Sequence, residues 1–123
     1  MEIHESGENY LEAILFLQQK NGNVRSIDIA NMLEFSKPSV SIAMKNLRKN
    51  GYVRVDNHGY ITLLPSGQAI AEKILERHHI LTDWLIDLGV SPDTAEDDAC
   101  RIEHVVSAES FEALKKHIRE HHK

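Results

Sequence analysis

The sequence predicts a mainly α-helical protein, with an N-terminal winged helix-turn-helix followed by a purely helical domain. Three observations carry that prediction. Two short helical patterns are joined by the three-residue turn Glu34-Phe35-Ser36 and followed at once by two β-rich runs. A long uninterrupted helical pattern begins after Pro65. Glycine and proline are few and scattered, as in a chain with short connections between helices.

The first helix is expected from about Glu5 to Lys20, where Leu11, Ile14, Leu15 and Gln18 step at helical spacing and Tyr10 and Leu17 broaden the apolar side. Asn9 and Glu12 lie at i and i+3 on a neighbouring face. Asn21-Gly22-Asn23 ends the helix with residues that tolerate the left-handed conformation. Ser26 is expected to cap a second helix, Ile27 to Leu33. Lys37-Pro38-Ser39 opens a third, with proline in the first turn where its missing N–H costs nothing. Val40, Ala43, Met44 and Leu47 form its apolar stripe, opposite Ser41, Ile42, Lys45, Arg48 and Lys49. Tyr52 to Val55 and Tyr60 to Leu63 flank Asp56-Asn57-His58-Gly59, a hairpin in which Gly59 supplies a positive φ. Ser66 is expected to cap the long helix, which runs to about Leu88. Its seam is Ile70, Ile74, His78, Leu81, Leu85 and Leu88, with Arg77 and His79 flanking. Ser91 and Pro92 open a fifth helix, about Asp93 to Val106, and Ser107-Ala108-Glu109 a sixth with Phe111, Leu114 and Ile118 on its apolar stripe. His117, His121 and His122 read as a solvated tail with no ligand role.

At 123 residues, with 41% hydrophobic and 27% charged residues, the chain has the composition of a soluble globular protein. It contains no apolar run near the ~18 residues of a membrane span, and its polar, acidic first residues (Met1-Glu2-Ile3-His4-Glu5) do not form a secretory signal. A single cysteine makes no internal disulfide and fits a reducing, cytoplasmic setting. The net charge of −5 is unevenly spread. Residues 1–19 carry four acids and no bases, residues 20–64 seven bases against three acids, and residues 65–123 seven bases against twelve acids. A basic middle on an acidic chain is what a polyanion such as DNA would meet. The competing reading of residues 24–64 is a small core with a solvated Lys/Arg face.

Cys100, Glu103 and His104 stand at i, i+3 and i+4, so their side chains share one helix face. Thiolate, carboxylate and imidazole form a mixed S/O/N donor set that first-row transition metals accept. Three donors do not fill a coordination sphere. Asn9, Glu12 and His78 are the candidates to complete it if the helices before and after the winged helix pack together. Oxygen and imidazole ligands suit Fe(II) or Mn(II), and the same set would take Co(II), Ni(II) or Zn(II). The competing readings are a satisfied core histidine at 78 and a half-buried cysteine beside an ordinary Glu-His pair.

The chain resembles the diphtheria toxin repressor family of metal-dependent repressors, which includes the manganese transport regulators. The resemblance lies in Glu8-Asn9-Tyr10-Leu11-Glu12-Ala13-Ile14, Asp28-Ile29-Ala30, Lys37-Pro38-Ser39-Val40-Ser41 and Leu63-Leu64-Pro65-Ser66-Gly67. It continues in Arg77-His78-His79-Ile80-Leu81 and in Ala99-Cys100-Arg101-Ile102-Glu103-His104-Val105-Val106-Ser107. It implies a winged-helix DNA-binding domain over 1–65 and a helical metal-binding and dimerisation domain over 66–123. The implied metal ligands are Asn9, Glu12, His78, Cys100, Glu103 and His104, with Mn(II) or Fe(II) as the cofactor. Two positions depart from the family pattern. Members usually carry Asp or Met at the place of Asn9, and the manganese type typically has Glu where this chain has Cys100, the residue of the iron-responsive branch. Many members add an SH3-like C-terminal domain; up to Lys123 this chain has none, as in the manganese regulators.

The expected function is therefore a metal-dependent transcriptional repressor, a homodimer on a palindromic operator, controlling metal uptake or homeostasis genes. Ser36, Pro38, Ser39 and Ile42 are placed to reach base edges, and Arg25, Ser26, Lys37, Ser41, Lys45 and Arg54 to bind phosphates. Asn57 and His58 would lie at the wing tip beside the minor groove. A winged-helix regulator answering to an organic ligand or partner protein is the alternative. A metalloenzyme is disfavoured: no phosphate loop, nucleophile-base pairing or H-E-x-x-H signature is present.

Overall fold

The computed structural model describes residues 5–121; the first four residues, His122 and Lys123 lie outside them. The element order is α1 (Glu5–Asn21), α2 (Ser26–Leu33), α3 (Lys37–Lys49), β1 (Val53–Val55), β2 (Ile61–Leu63), α4 (Pro65–Asp87), α5 (Pro92–Val105) and α6 (Ala108–His121). The chain divides into two compact units, one ending at Lys73 and the other starting at Ile74.

In the first unit α1 packs on α2, α3 and β2, and α2 and α3 pack on each other. The apolar spacings of the sequence supply the core: Leu11, Ile14, Ile29, Val40 and Val53 are essentially inaccessible, and Met44, Leu47, Ile61 and Leu63 are buried. Tyr10 meets Phe35 edge-on at 5.8 Å, and burial pushes its phenol pKa up. Strands β1 and β2 are antiparallel with Val53 opposite Leu63 and Val55 opposite Ile61. The Ile61 N–H also donates to the Val24 carbonyl at 2.7 Å.

Several local expectations need correction. The N-cap of α2 is Arg25, and Ser26 is the first helical residue. Asp28 makes this possible, because its carboxylate accepts the Arg25 backbone N–H at 2.9 Å. Ser66 lies inside α4, and its hydroxyl donates to the Gly51 carbonyl at 2.9 Å. The strands begin one residue later than expected. Tyr52 is drawn into the end of α3, where its N–H donates to the Leu47 carbonyl and that of Gly51 (φ +83) to Arg48. This is a Schellman closure, which uses the left-handed glycine. Leu88 falls past the end of α4 and is 64% exposed, so the seam stops short of it.

Gly67 is required for a different reason. A Cβ there would collide with the Tyr52 carbonyl oxygen. Glycine alone lets the first turn of α4 lie against the start of the wing.

The second unit is built on Leu81, Ala99 and Phe111, with Ile80, Trp84, Ile102, Val106 and Leu114 packed around them. Lys115 of α6 pairs with Glu76 of α4 at 2.9 Å. No helix among the described residues is long and apolar enough to cross a membrane.

Candidate metal centre and nucleic-acid interface

Helix α5 starts at Pro92 and carries Cys100, Glu103 and His104 one turn apart on one face. Their ligand atoms all lie within 4.8 Å of one another. Glu103 is completely buried, an unusual place for a carboxylate without compensating groups. Imidazoles flank it on both sides: His78 Nδ1 lies 2.8 Å from Oε2 and His104 Nε2 3.3 Å from Oε1. His78 keeps 19% of its side chain accessible. Thus α4 and α5 bring four of the six expected ligands together. The remaining two, Asn9 and Glu12, occupy successive turns of α1 in the first unit, both half-buried.

The donor set fits a divalent transition ion. A buried carboxylate between two imidazoles, with a thiol on the same face, combines hard oxygen, borderline nitrogen and soft sulfur in one small volume. A divalent cation held by all of these groups would neutralise the buried carboxylate.

Arg77, whose place in the sequence is only at the edge of the apolar seam, holds this arrangement together. It is 5% exposed, and its Nη1 donates to the carbonyls of Glu103 at 3.0 Å and Val106 at 2.9 Å. Its guanidinium lies 5.1 Å from the centre of the Phe111 ring. The last carbonyls of α5 lack helical partners, and a buried cation is well suited to satisfy them. No sequence signal marks an arginine on the edge of an apolar stripe as buried.

The basic surface is on α3. Ser36 caps it, accepting the Ser39 N–H at 3.3 Å and donating to the Ser39 hydroxyl at 2.8 Å. Lys37, Pro38, Ser39, Ser41, Ile42 and Lys45 are all exposed, opposite buried Val40, Met44 and Leu47. Ile42 is 63% exposed, an apolar side chain displayed among cations and hydroxyls. Arg25 lies over the Tyr60 ring at 4.6 Å, which fixes its guanidinium beside the hairpin. Ser26 is half-buried, and Arg54, Asn57 and His58 are exposed on the wing.

Asp56 shapes the wing tip, a role that its sequence position alone does not assign. Its carboxylate accepts the His58 N–H at 2.8 Å and the Tyr60 N–H at 2.9 Å. These bonds, that from Tyr60 foremost, hold its carboxyl below the usual range, and the neighbouring His58 and Arg54 add to the effect. An Asp opening a D-N-H-G turn is the signal that could have found it. Gly59 adopts the expected positive φ of 82°.

Two family descriptions match this chain almost end to end: the iron-dependent repressor N-terminal DNA-binding domain over residues 2–60, and the iron-dependent repressor metal-binding and dimerisation domain over residues 64–123. The chain belongs to the iron-dependent repressor family. An uncharacterized HTH-type transcriptional regulator of Methanocaldococcus jannaschii is 35% identical over 92% of both chains. The transcriptional regulator MntR of Salmonella typhimurium is 34% identical over 93% of this chain and 73% of its own length. Among solved structures, the manganese regulator SloR superposes with a TM-score of 0.82 at 27% identity, covering 97% of this chain and 55% of SloR. A manganese-dependent transcriptional repressor in complex with manganese gives 0.83 at 27% identity, covering 92% of this chain and 52% of that one. The chain thus spans about half the length of these two solved structures. The family is one of metal-dependent repressors, and this chain carries both its DNA-binding and its metal-binding domain.

Proposed function

We propose that the protein is a metal-activated repressor that binds a palindromic operator as a homodimer in the cytoplasm and controls genes for metal uptake or homeostasis. The observation that carries this reading is the Glu103 carboxylate. It is fully buried, meets an imidazole on each oxygen and shares its face with a thiol, in a chain that also has a DNA-binding domain. Mn(II) and Fe(II) are the proposed ions, since oxygen and nitrogen donors favour the harder metals while Cys100 draws toward the softer.

His78, Cys100, Glu103 and His104 would hold the ion, and Asn9 and Glu12 are the further candidate ligands, each offering an oxygen. Asn9 would bring an oxygen without charge, so Glu12, Glu103 and the Cys100 thiolate would carry the negative charge of the site. With an ion bound, these residues would restrict the DNA-binding heads to one spacing. Residues 1–65 do the reading and residues 66–123 the sensing and dimerisation. Two α3 helices about 34–36 Å apart would read half-sites one turn apart. Ser36, Pro38, Ser39 and Ile42 then face base edges, with Ile42 or Pro38 against a thymine methyl. Arg25, Ser26, Lys37, Ser41, Lys45 and Arg54 hold phosphates, while Asn57 and His58 flank the minor groove. Regulation is a population shift toward the spacing that the operator accepts.

The test is a DNA-shift titration under anaerobic conditions with Fe(II), Mn(II) and Zn(II) in parallel, each with a chelator control. Operator affinity that rises with metal and collapses with chelator supports the reading. Operator binding indifferent to chelator would instead favour a regulator answering to an organic ligand.

A further inference from the structure

The i, i+3, i+4 spacing of Cys100, Glu103 and His104 recurs on α6 as His117, Glu120 and His121. By composition these histidines belong to a solvated tail. In the structure the His117 and His121 rings approach to 4.2 Å between centroids, at 48° to one another, on successive turns of the helix. His117, Glu120 and His121 are all exposed. Lys116 and Arg119 stand one and two residues from His117, off the face that the two imidazoles share.

We propose that His117 and His121 form a second metal site, open to solvent and taking a late first-row divalent ion such as Ni(II) or Zn(II). Two imidazoles one turn apart are a preorganised bidentate donor, because the helix already fixes their separation and little side-chain freedom is lost on chelation. The two imidazoles are the protein's donors at this site, and water would fill the remaining positions. The donor set differs from that around Glu103 in having no thiol and no buried carboxylate. It therefore follows the general affinity order, weakest for Mn(II) and stronger for Ni(II) and Zn(II). An ion that the α6 site takes readily is thus one that Mn(II) does not displace.

The experiment compares the full chain with H117Q and with H117Q/H121Q by chelator-competition stoichiometry under anaerobic conditions, using Ni(II), Zn(II) and Mn(II) separately. Both variants are expected to bind one fewer Ni(II) and one fewer Zn(II) per chain, with Mn(II) stoichiometry and metal-dependent DNA binding unchanged. The single variant is expected to match the double, since one imidazole alone does not chelate. In the wild type, Ni(II) added beyond the first equivalent should broaden the ring-proton NMR signals of His117 and His121 together. Unchanged Ni(II) and Zn(II) stoichiometry in the double variant, or no broadening of His117 and His121 beyond the first equivalent, would overturn the proposal. Both substitutions are at exposed positions, so a folding defect does not enter the comparison.

Discussion

Replacing Arg77 with Met tests whether the end of α5 is held by the buried guanidinium. Met keeps an unbranched stem to pack near Phe111 but removes the donor to the Glu103 and Val106 carbonyls. Hydrogen bonds from a charged group are worth about 1.5–3 kcal/mol each, so the loss is bounded at about 3–6 kcal/mol. The Arg77 Nε, however, is buried without a hydrogen-bond partner among the described residues. That burial costs the wild type about 1–3 kcal/mol, which the variant no longer bears. The net destabilisation is therefore centred at about 2.5 kcal/mol within a span of about 0–5 kcal/mol, and the central value is a fall in melting temperature of roughly 5–15 °C for a domain of this size. Urea unfolding of R77M at fixed metal concentration measures it, and R77K should be intermediate because an ammonium lacks the planar fork. The turn held by Arg77 carries Glu103 and His104, so Mn(II) affinity should fall as well. A change below about 1 kcal/mol with unaltered metal affinity would refute the assignment.

Gly67→Ala should cost about 1–3 kcal/mol in urea unfolding, because the added methyl meets the Tyr52 carbonyl and the backbone must give way; an unchanged midpoint would contradict the close approach. Asp56 has a lowered pKa, so its contribution to wing order is present above the ordinary carboxyl value and is lost as pH falls through the lowered one. Its carboxyl NMR titration should have a midpoint below 3.8, and the amide protection of His58 and Tyr60 should fall over the same range; a midpoint at or above 3.8 counts against the hydrogen-bonded turn. Lys45→Ala should weaken all DNA sequences alike and lower the log-log salt slope by about 0.9 for each phosphate that is no longer neutralised. Ile42→Ala should instead narrow the gap between operator and random DNA, with the salt slope unchanged. Swapped outcomes would mean that the roles of these two neighbours are reversed.

Features carried by periodicity are legible in the sequence. The apolar steps of α1 and α3, the D-N-H-G hairpin and the shared face of Cys100, Glu103 and His104 each follow from helical or strand geometry over a few residues. His78 can be placed in a seam, but not against Glu103, because that contact spans 25 positions. Helix starts are less legible. Serines at 26 and 66 look like caps, yet Asp28 reaches back to Arg25 and the Ser66 hydroxyl turns to Gly51, since other partners compete with the expected ones. Arg77 is invisible as a structural centre because its partners are backbone carbonyls, which leave no mark on residue type.

The proposed function requires a cation at the buried Glu103 carboxylate. Isothermal titration of Mn(II) into the full chain, E103Q and E12Q, with folding checked by circular dichroism, tests it most directly. Each carboxylate-to-amide change is expected to lower affinity by about 100-fold or more, since even outer partners of a metal site cost about 10–100-fold. Wild-type Mn(II) affinity in a folded E103Q would contradict the account, and wild-type affinity in E12Q alone would remove α1 from the site.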